Sequence, residues 1–243
     1  MIVLIITAVR IKSMDSHRIS GRILAENIAG PGMLRLVEQS MQARARKTSV
    51  TEIAVKERKH PQAALTFDDG PDIRYTPLLL DGLKERNVRV SFFLLGEKVE
   101  QYPELVERMQ KEGHLVGNHT YHHVQLNKLN ETKAREEILK TNNLIYETTG
   151  VYPLYLRPPF GAWKKNLELC VEMLPVFWTI DTLDWKVQNT EKIVRTVQEQ
   201  IEDGAIILMH DEYDTSVEAA LQVVDELKSQ GYELVTVDQL ILP

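Results

Sequence analysis

The chain has 243 residues, 43% of them apolar, which suits the core of one α/β domain plus a tail. Its charge is uneven. Residues 1–60 hold eleven Lys and Arg against five Asp and Glu, and the remainder holds eighteen against thirty, so a basic segment precedes an acidic main domain. That acidity argues against nucleic acid as the principal ligand, and a single cysteine, Cys170, excludes an intrachain disulfide.

Met1–Val9 is apolar but too short for a bilayer span of about 20 residues, and it lacks a basic n-region and a small-residue cleavage site. Three readings stay open: a trimmed anchor or signal, an N-terminal strand, or a cloning remnant. On the first reading, Arg10, Lys12, Arg18 and Arg22 would meet anionic lipid. The rest of residues 1–60 is expected to form an accessory segment, broken at Gly30-Pro31-Gly32, with an amphipathic helix over Met33–Arg46.

Residues 61–243 follow a regular pattern. Ala63–Phe67 is a buried strand stopped by the turn Asp68-Asp69-Gly70-Pro71. Helices are expected over Thr76–Arg86, Pro103–Glu112, Asn130–Thr148, Thr190–Ile201 and Ser216–Lys228. The charges of Glu131–Lys140 read as a solvated face. Further strands are expected at Val88–Leu95, His114–Gly117, Leu154–Leu156, Val176–Ile180, Ala205–Met209 and Glu233–Val235. Strands alternating with helices imply βα units and a parallel sheet. Seven or so strands point to an α/β fold closed into a (β/α) barrel, whose catalytic groups belong at the C-terminal ends of the strands.

Polar clusters fall at those ends. His119 and His123 are four apart, a spacing that puts both imidazoles on one face of a helical turn, as metal sites require; His122 lies off that face. Two histidines need an anionic third ligand, and Asp68 and Asp69 both qualify. Neighbouring carboxylates in an extended segment point apart, so one is free to bind metal while the other faces substrate. Arg157, before Pro158-Pro159, would hold a carboxylate ionised and aimed. Asp184-Trp185 joins an acceptor to a large ring, and His210 emerges from the apolar run Ala205–Met209. Singly, each cluster is an ordinary surface turn, salt bridge or core histidine. Together they are the parts of a metal-assisted hydrolase.

In this order, Thr66-Phe67-Asp68-Asp69-Gly70, His119-Thr120-Tyr121-His122-His123, Arg157-Pro158-Pro159-Phe160-Gly161, Asp181-Thr182-Leu183-Asp184-Trp185 and Leu208-Met209-His210-Asp211 resemble the motifs of the polysaccharide deacetylase family, carbohydrate esterase family 4, also called the NodB-homology domain. The likeness covers about residues 61–240. It implies a distorted (β/α) barrel that removes acetyl groups from acetylated sugars. It implies a divalent metal, Zn²⁺ above all and Co²⁺ as a substitute, on Asp69, His119 and His123. By the same likeness Asp68 is the general base, oriented by Arg157, with a pKa depressed by metal and guanidinium. His210 is the general acid, kept protonated by Asp184. Trp185 and Leu208 line the acetyl pocket, and the Phe160 N–H helps to hold the oxyanion. Many members carry Tyr where this chain has Phe160.

The resemblance implies an N-acetylglucosamine-type polysaccharide as substrate, peptidoglycan first, and a surface or secreted enzyme with membrane association through its N-terminus. Chitin oligomers and acetylated xylan are the alternative substrates. The other class of function is a non-catalytic sugar-binding module on the same fold. Retention of both Asp68 and His210 speaks for the enzyme.

Overall fold

A computed structural model of the chain describes residues 60–163 and 173–241. Residues 1–59, including Met1–Val9 and the helix expected over Met33–Arg46, lie outside the described residues, as does Cys170.

The strands are β1 (Gln62–Asp68), β2 (Ser91–Leu94), β3 (Leu115–Asn118), β4 (Tyr155–Leu156), β5 (Leu174–Pro175), β6 (Ile180–Asp181), β7 (Ala205–His210) and β8 (Glu233–Leu234). Every pairing is parallel. Seven strands run in the order β5-β4-β3-β2-β1-β7-β6, and β8 pairs with the start of β1. This is the distorted barrel of the sequence reading. Among the described residues β5 and β6, at the two ends of this path, do not pair, so the curve is a half-barrel.

The helices are α1 (Tyr75–Glu85), α2 (Gly96–Gln101), α3 (Pro103–Lys111), α4 (Glu131–Thr149), α5 (Asp184–Val187), α6 (Thr190–Gln200), α7 (Asp214–Ser229) and α8 (Val237–Ile241). The long ones form where the periodicity places them. In α3, Leu105, Val106 and Met109 are buried on one face, and Pro103 opens the helix where its missing N–H costs nothing. The Asn130 side chain caps α4 by accepting the Lys133 N–H, and Gly150 ends it at φ 72°, a conformation that favours glycine. α1 and α7 pack closely: a Cβ on Gly82 would lie 2.5 Å from the Leu221 side chain.

One expectation fails. Val176–Ile180 is not a strand; it divides into β5 before it and β6 at its end, with an irregular stretch between. Val176 and Ile180 are both buried, but they meet different neighbours, Leu156 and Ile207, and the stretch between them belongs to no strand. The short helices α2, α5 and α8 escaped the pattern, because four to six residues are too few to show a period.

The long neighbouring strands β1 and β7 are largely buried on both faces, as parallel strands under helices are. Ala63, Leu65 and Phe67 of β1, with Ala205, Ile207 and Met209 of β7, join the core beneath the helices. The alternate residues Thr66 and Asp68 meet Arg157 on the other face. Burying each large side chain contributes about 1.5–3 kcal/mol. Polar groups on the inner face are therefore carried by a rigid, two-sided core.

Candidate active site

Strand register assembles the site. Asp68 ends β1 and His210 ends β7, and the two are direct partners in the ladder. Leu208 lies two residues before His210, on the same face and beside Thr66. Asn118 ends β3 opposite Leu156 of β4, so His119 and Arg157 leave their strands side by side. All of these lie at the C-terminal ends of the strands.

The extended backbone breaks at Asp69, whose φ is 69°. A left-handed residue with a side chain costs about 1–2 kcal/mol, least for Asp and Asn. The break overturns the expectation that the two carboxylates point apart. His119 Nε2 lies 3.7 Å from Asp68 Oδ2 and 3.4 Å from Asp69 Oδ1. Gly70 is required by packing: a Cβ there would lie 2.5 Å from Oδ1 of the buried Asp211, a carboxylate that accepts the Thr76 hydroxyl.

The helical placement of His119 and His123 is also corrected. Residues 119–123 form an irregular loop with Thr120 at φ 67° and His123 at φ 55°. The loop still brings the rings together, with centroids 5.0 Å apart. His122 turns outward, 59% exposed, and its ring donates to Glu137.

His123 Nε2 is 3.5 Å from Asp69 Oδ1, and that buried oxygen has no hydrogen-bond partner among the described residues. His119 Nδ1 lies 2.6 Å from the Arg157 carbonyl, which only accepts, so Nδ1 carries the proton and Nε2 presents its lone pair. Burial holds the His119 pKa down at about 3 against the pull of Asp69, so the ring is neutral. Ligating atoms of Asp69, His119 and His123 lie within 4.8 Å of one another. Two imidazoles and one carboxylate oxygen with no hydrogen-bond partner among the described residues fit a divalent cation.

Asp68 is almost wholly buried. Arg157, fully buried, donates from Nη1 to Asp68 Oδ1 at 2.7 Å and to Thr66 Oγ1 at 2.7 Å. Its guanidinium lies 4.2 Å over the Phe93 ring and 5.8 Å from Trp178. The expected depression of the Asp68 pKa is reversed in the metal-free protein. Burial pushes it above the usual carboxylate value, and Arg157 and His210 only partly offset that.

Across from the imidazole pair, His210 Nδ1–H donates to Asp184 Oδ1 at 2.8 Å, while Asp184 Oδ2 accepts the His210 backbone N–H at 2.7 Å. Asp181 is not that partner; it accepts the Leu183 N–H and shapes the turn that leads into α5. Burial alone would lower the His210 pKa, but the Asp184 hydrogen bond and the charges of Asp184, Asp68 and Asp69 raise it to about 9. His210 Nε2 faces the site, 3.8 Å from Asp69 Oδ2.

The remaining residues lie at the rim. Phe160 is 66% exposed at φ 60°, its ring 4.6 Å from His123, and its N–H has no partner among the described residues. Leu208 is buried and Trp185 is half exposed beside Asp184. Three residues escaped the sequence reading. Trp178 packs on Gly161 and Arg157; Thr66 shares the Arg157 guanidinium; Glu137, on α4, accepts the backbone N–H groups of Tyr121 and His122. Thr66 sat inside a quoted motif, but nothing in sequence signalled the other two.

A family model described as polysaccharide deacetylase matches residues 55–176. The chain belongs to the polysaccharide deacetylase family. It is 42% identical over 185 residues to the peptidoglycan-N-acetylglucosamine deacetylase PgdA of Listeria monocytogenes, covering 76% of this chain and 40% of that relative. It is 40% identical over 186 residues to a peptidoglycan-N-acetylglucosamine deacetylase of Bacillus cereus, covering 74% and 68%. The solved structure of the peptidoglycan deacetylase PdaC of Bacillus subtilis superposes with a TM-score of 0.73 at 42% identity, over 75% of this chain and 91% of that one.

Proposed function

We propose that the chain is a metal-dependent deacetylase that removes N-acetyl groups from the amino sugars of peptidoglycan. The observation that carries this reading is the opposition of two imidazole systems across a buried carboxylate. Asp69, His119 and His123 converge on one side, the His210–Asp184 pair stands on the other, and Asp68 lies between on Arg157. The family supports the reaction class. The names of the Listeria and Bacillus relatives support the substrate, and a cell-wall polymer as substrate supports a location at the cell surface.

Asp69, His119 and His123 would hold the cation, most naturally Zn²⁺ with Co²⁺ as a replacement. When bound, it supplies Lewis acidity and eases deprotonation of water. Asp68 is the general base that takes a proton from the attacking water, and Arg157 fixes its oxygens. The Phe160 N–H donates to the oxyanion, with Leu208 and Trp185 beside the acetyl methyl. His210 Nε2–H protonates the leaving nitrogen as the carbon–nitrogen bond breaks, giving acetate and a free amino sugar. Asp184 keeps Nδ1 protonated and the ring aimed.

The test is acetate release from peptidoglycan, chitin oligomers and acetylated xylan by metal-loaded enzyme, with the deacetylated sugar, glucosamine or muramic acid, identified by mass. Release from peptidoglycan is expected. Release from xylan alone would overturn the substrate, and release from none would favour a sugar-binding module. Among the described residues no helix is long and apolar enough to cross a membrane. Membrane association through residues 1–60 is a separate proposal, tested by fractionating cells that express the chain with and without Met1–Val9.

A further inference from the structure

The loop carrying His119 and His123 holds two left-handed residues with side chains, Thr120 and His123. Such a backbone persists only where its surroundings over-determine it. From one side, the Gly96 and Glu97 N–H groups at the start of α2 donate to the carbonyls of Thr120 and Tyr121 at 2.9 and 3.2 Å. From the other side comes a carboxylate of α4. Glu137 Oε2 accepts the backbone N–H of Tyr121 at 3.1 Å and of His122 at 2.9 Å, and Oε1 accepts the His122 ring at 2.8 Å.

The same face of α4 secures the loop's entry. Asn118 Oδ1 accepts the Thr120 N–H at 2.6 Å, and the Asn118 amide donates to the Ile138 carbonyl and to Asn142 Oδ1. Glu131 and Glu136 are solvent-exposed, as the sequence pattern suggests for this helix, whereas the Glu137 side chain is only 15% exposed. An ionised acceptor serving two adjacent backbone donors makes stronger bonds than a neutral one.

We propose that Glu137 is a positioning residue for metal binding: it holds the 120–123 backbone in the one form that turns His119 and His123 together toward Asp69. The inference rests on the reading of those three residues as metal ligands. Glu137 touches neither the cation nor the substrate. Its effect belongs in metal affinity; direct hydrogen-bond partners of ligands count for about tenfold to a hundredfold, and a residue that holds the ligands' loop belongs at the lower end of that range.

The experiment is a Zn²⁺ competition titration against a chromophoric chelator, on the full chain at fixed pH, beside thermal unfolding of each metal-free variant. Glu137→Ala should weaken Zn²⁺ binding by about tenfold. Glu137→Asp, which keeps the charge but retracts the oxygens, should lose less. Ile145→Ala removes a buried side chain of the same helix away from the loop; it should lower the unfolding temperature and keep wild-type affinity. Wild-type affinity in folded Glu137→Ala overturns the proposal, as does an equal loss in Ile145→Ala. If Glu137→Ala does not fold, Glu137→Asp decides: a loss greater than that of Ile145→Ala supports the proposal, and parity overturns it. A wild-type chain that binds no Zn²⁺ overturns the ligand reading itself, and this inference with it.

Discussion

His119 and His210 are the same side chain, one buried and one mostly buried, and they end in opposite states. The Nδ1–H of His119 meets a neutral carbonyl, and burial takes its pKa down to about 3. The Nδ1–H of His210 meets the Asp184 carboxylate, and its pKa rises to about 9 in spite of burial. The difference teaches that burial lowers both rings, and that the carboxylate behind the ring, with those around it, decides whether the proton is recovered. Backed by a carbonyl, imidazole is a lone-pair donor suited to a metal. Backed by a carboxylate, it is a proton donor at neutral pH.

The largest effect should come from the metal side. Chelation is expected to abolish acetate release, and Zn²⁺ or Co²⁺ to restore it; full turnover by metal-free protein would refute the proposed ligand set. His119→Ala should lose both metal and activity, whereas His122→Ala, whose ring faces outward, should retain most of its metal. Elemental analysis of the purified variants separates the two.

Next in size is the pair of carboxylates between the two histidines. Asp68→Asn should keep its metal and slow turnover by about 10²–10⁴-fold, the range for loss of a general base. Asp69→Asn should weaken metal binding instead, because its Oδ1 is the oxygen facing the rings of both His119 and His123. Metal content measured against turnover checks the assignment, and a reversed pattern would exchange the two roles.

Much of this contrast was legible before any coordinates. The alternation of apolar runs with amphipathic helices marks the central strands, because β1, β2 and β7 are buried on both faces and read as continuous apolar stretches. Two-residue β4 and β8 still fall in expected strand runs, whereas Val176–Ile180 is one apolar run whose two ends lie at different strands, a break that apolarity does not mark. Residue types at the strand ends point to metal and acid chemistry, but their geometry depends on left-handed backbone at Asp69, Thr120 and His123, where sequence alone suggests extended or helical turns. The sign of the Asp68 shift in the metal-free protein differs from the expectation for a related reason. A nearby arginine can be anticipated from a motif, whereas the depth of burial that outweighs it is a property of the packed barrel. Glu137 looked like any glutamate of a charged helix, since its partners are backbone groups that have no identity in a sequence.

The smallest of these effects concerns the carboxylate behind His210, and it is best read in a pH profile. With the His210 pKa at about 9, the rate should hold through neutral pH and fall as the pH rises past that value. Asp184→Asn removes the charge that raises the pKa and should move the alkaline limb of kcat to lower pH. If the pKa fell to the ordinary 6.5, the protonated fraction at pH 8 would drop about thirtyfold, with little change near pH 5. Stability should follow the same sign. A folded pKa above the unfolded one means that the pair's contribution is complete below about pH 6.5 and is lost as the pH rises through about 9. Thermal unfolding of the metal-free wild type should therefore fall across that window, and Asp184→Asn should flatten the slope. An alkaline limb that stays near 9 in Asp184→Asn would mean that the carboxylates of Asp68 and Asp69 suffice to hold the proton on His210. The contrast with His119 would then rest on the field of the whole site rather than on the single atom behind the ring.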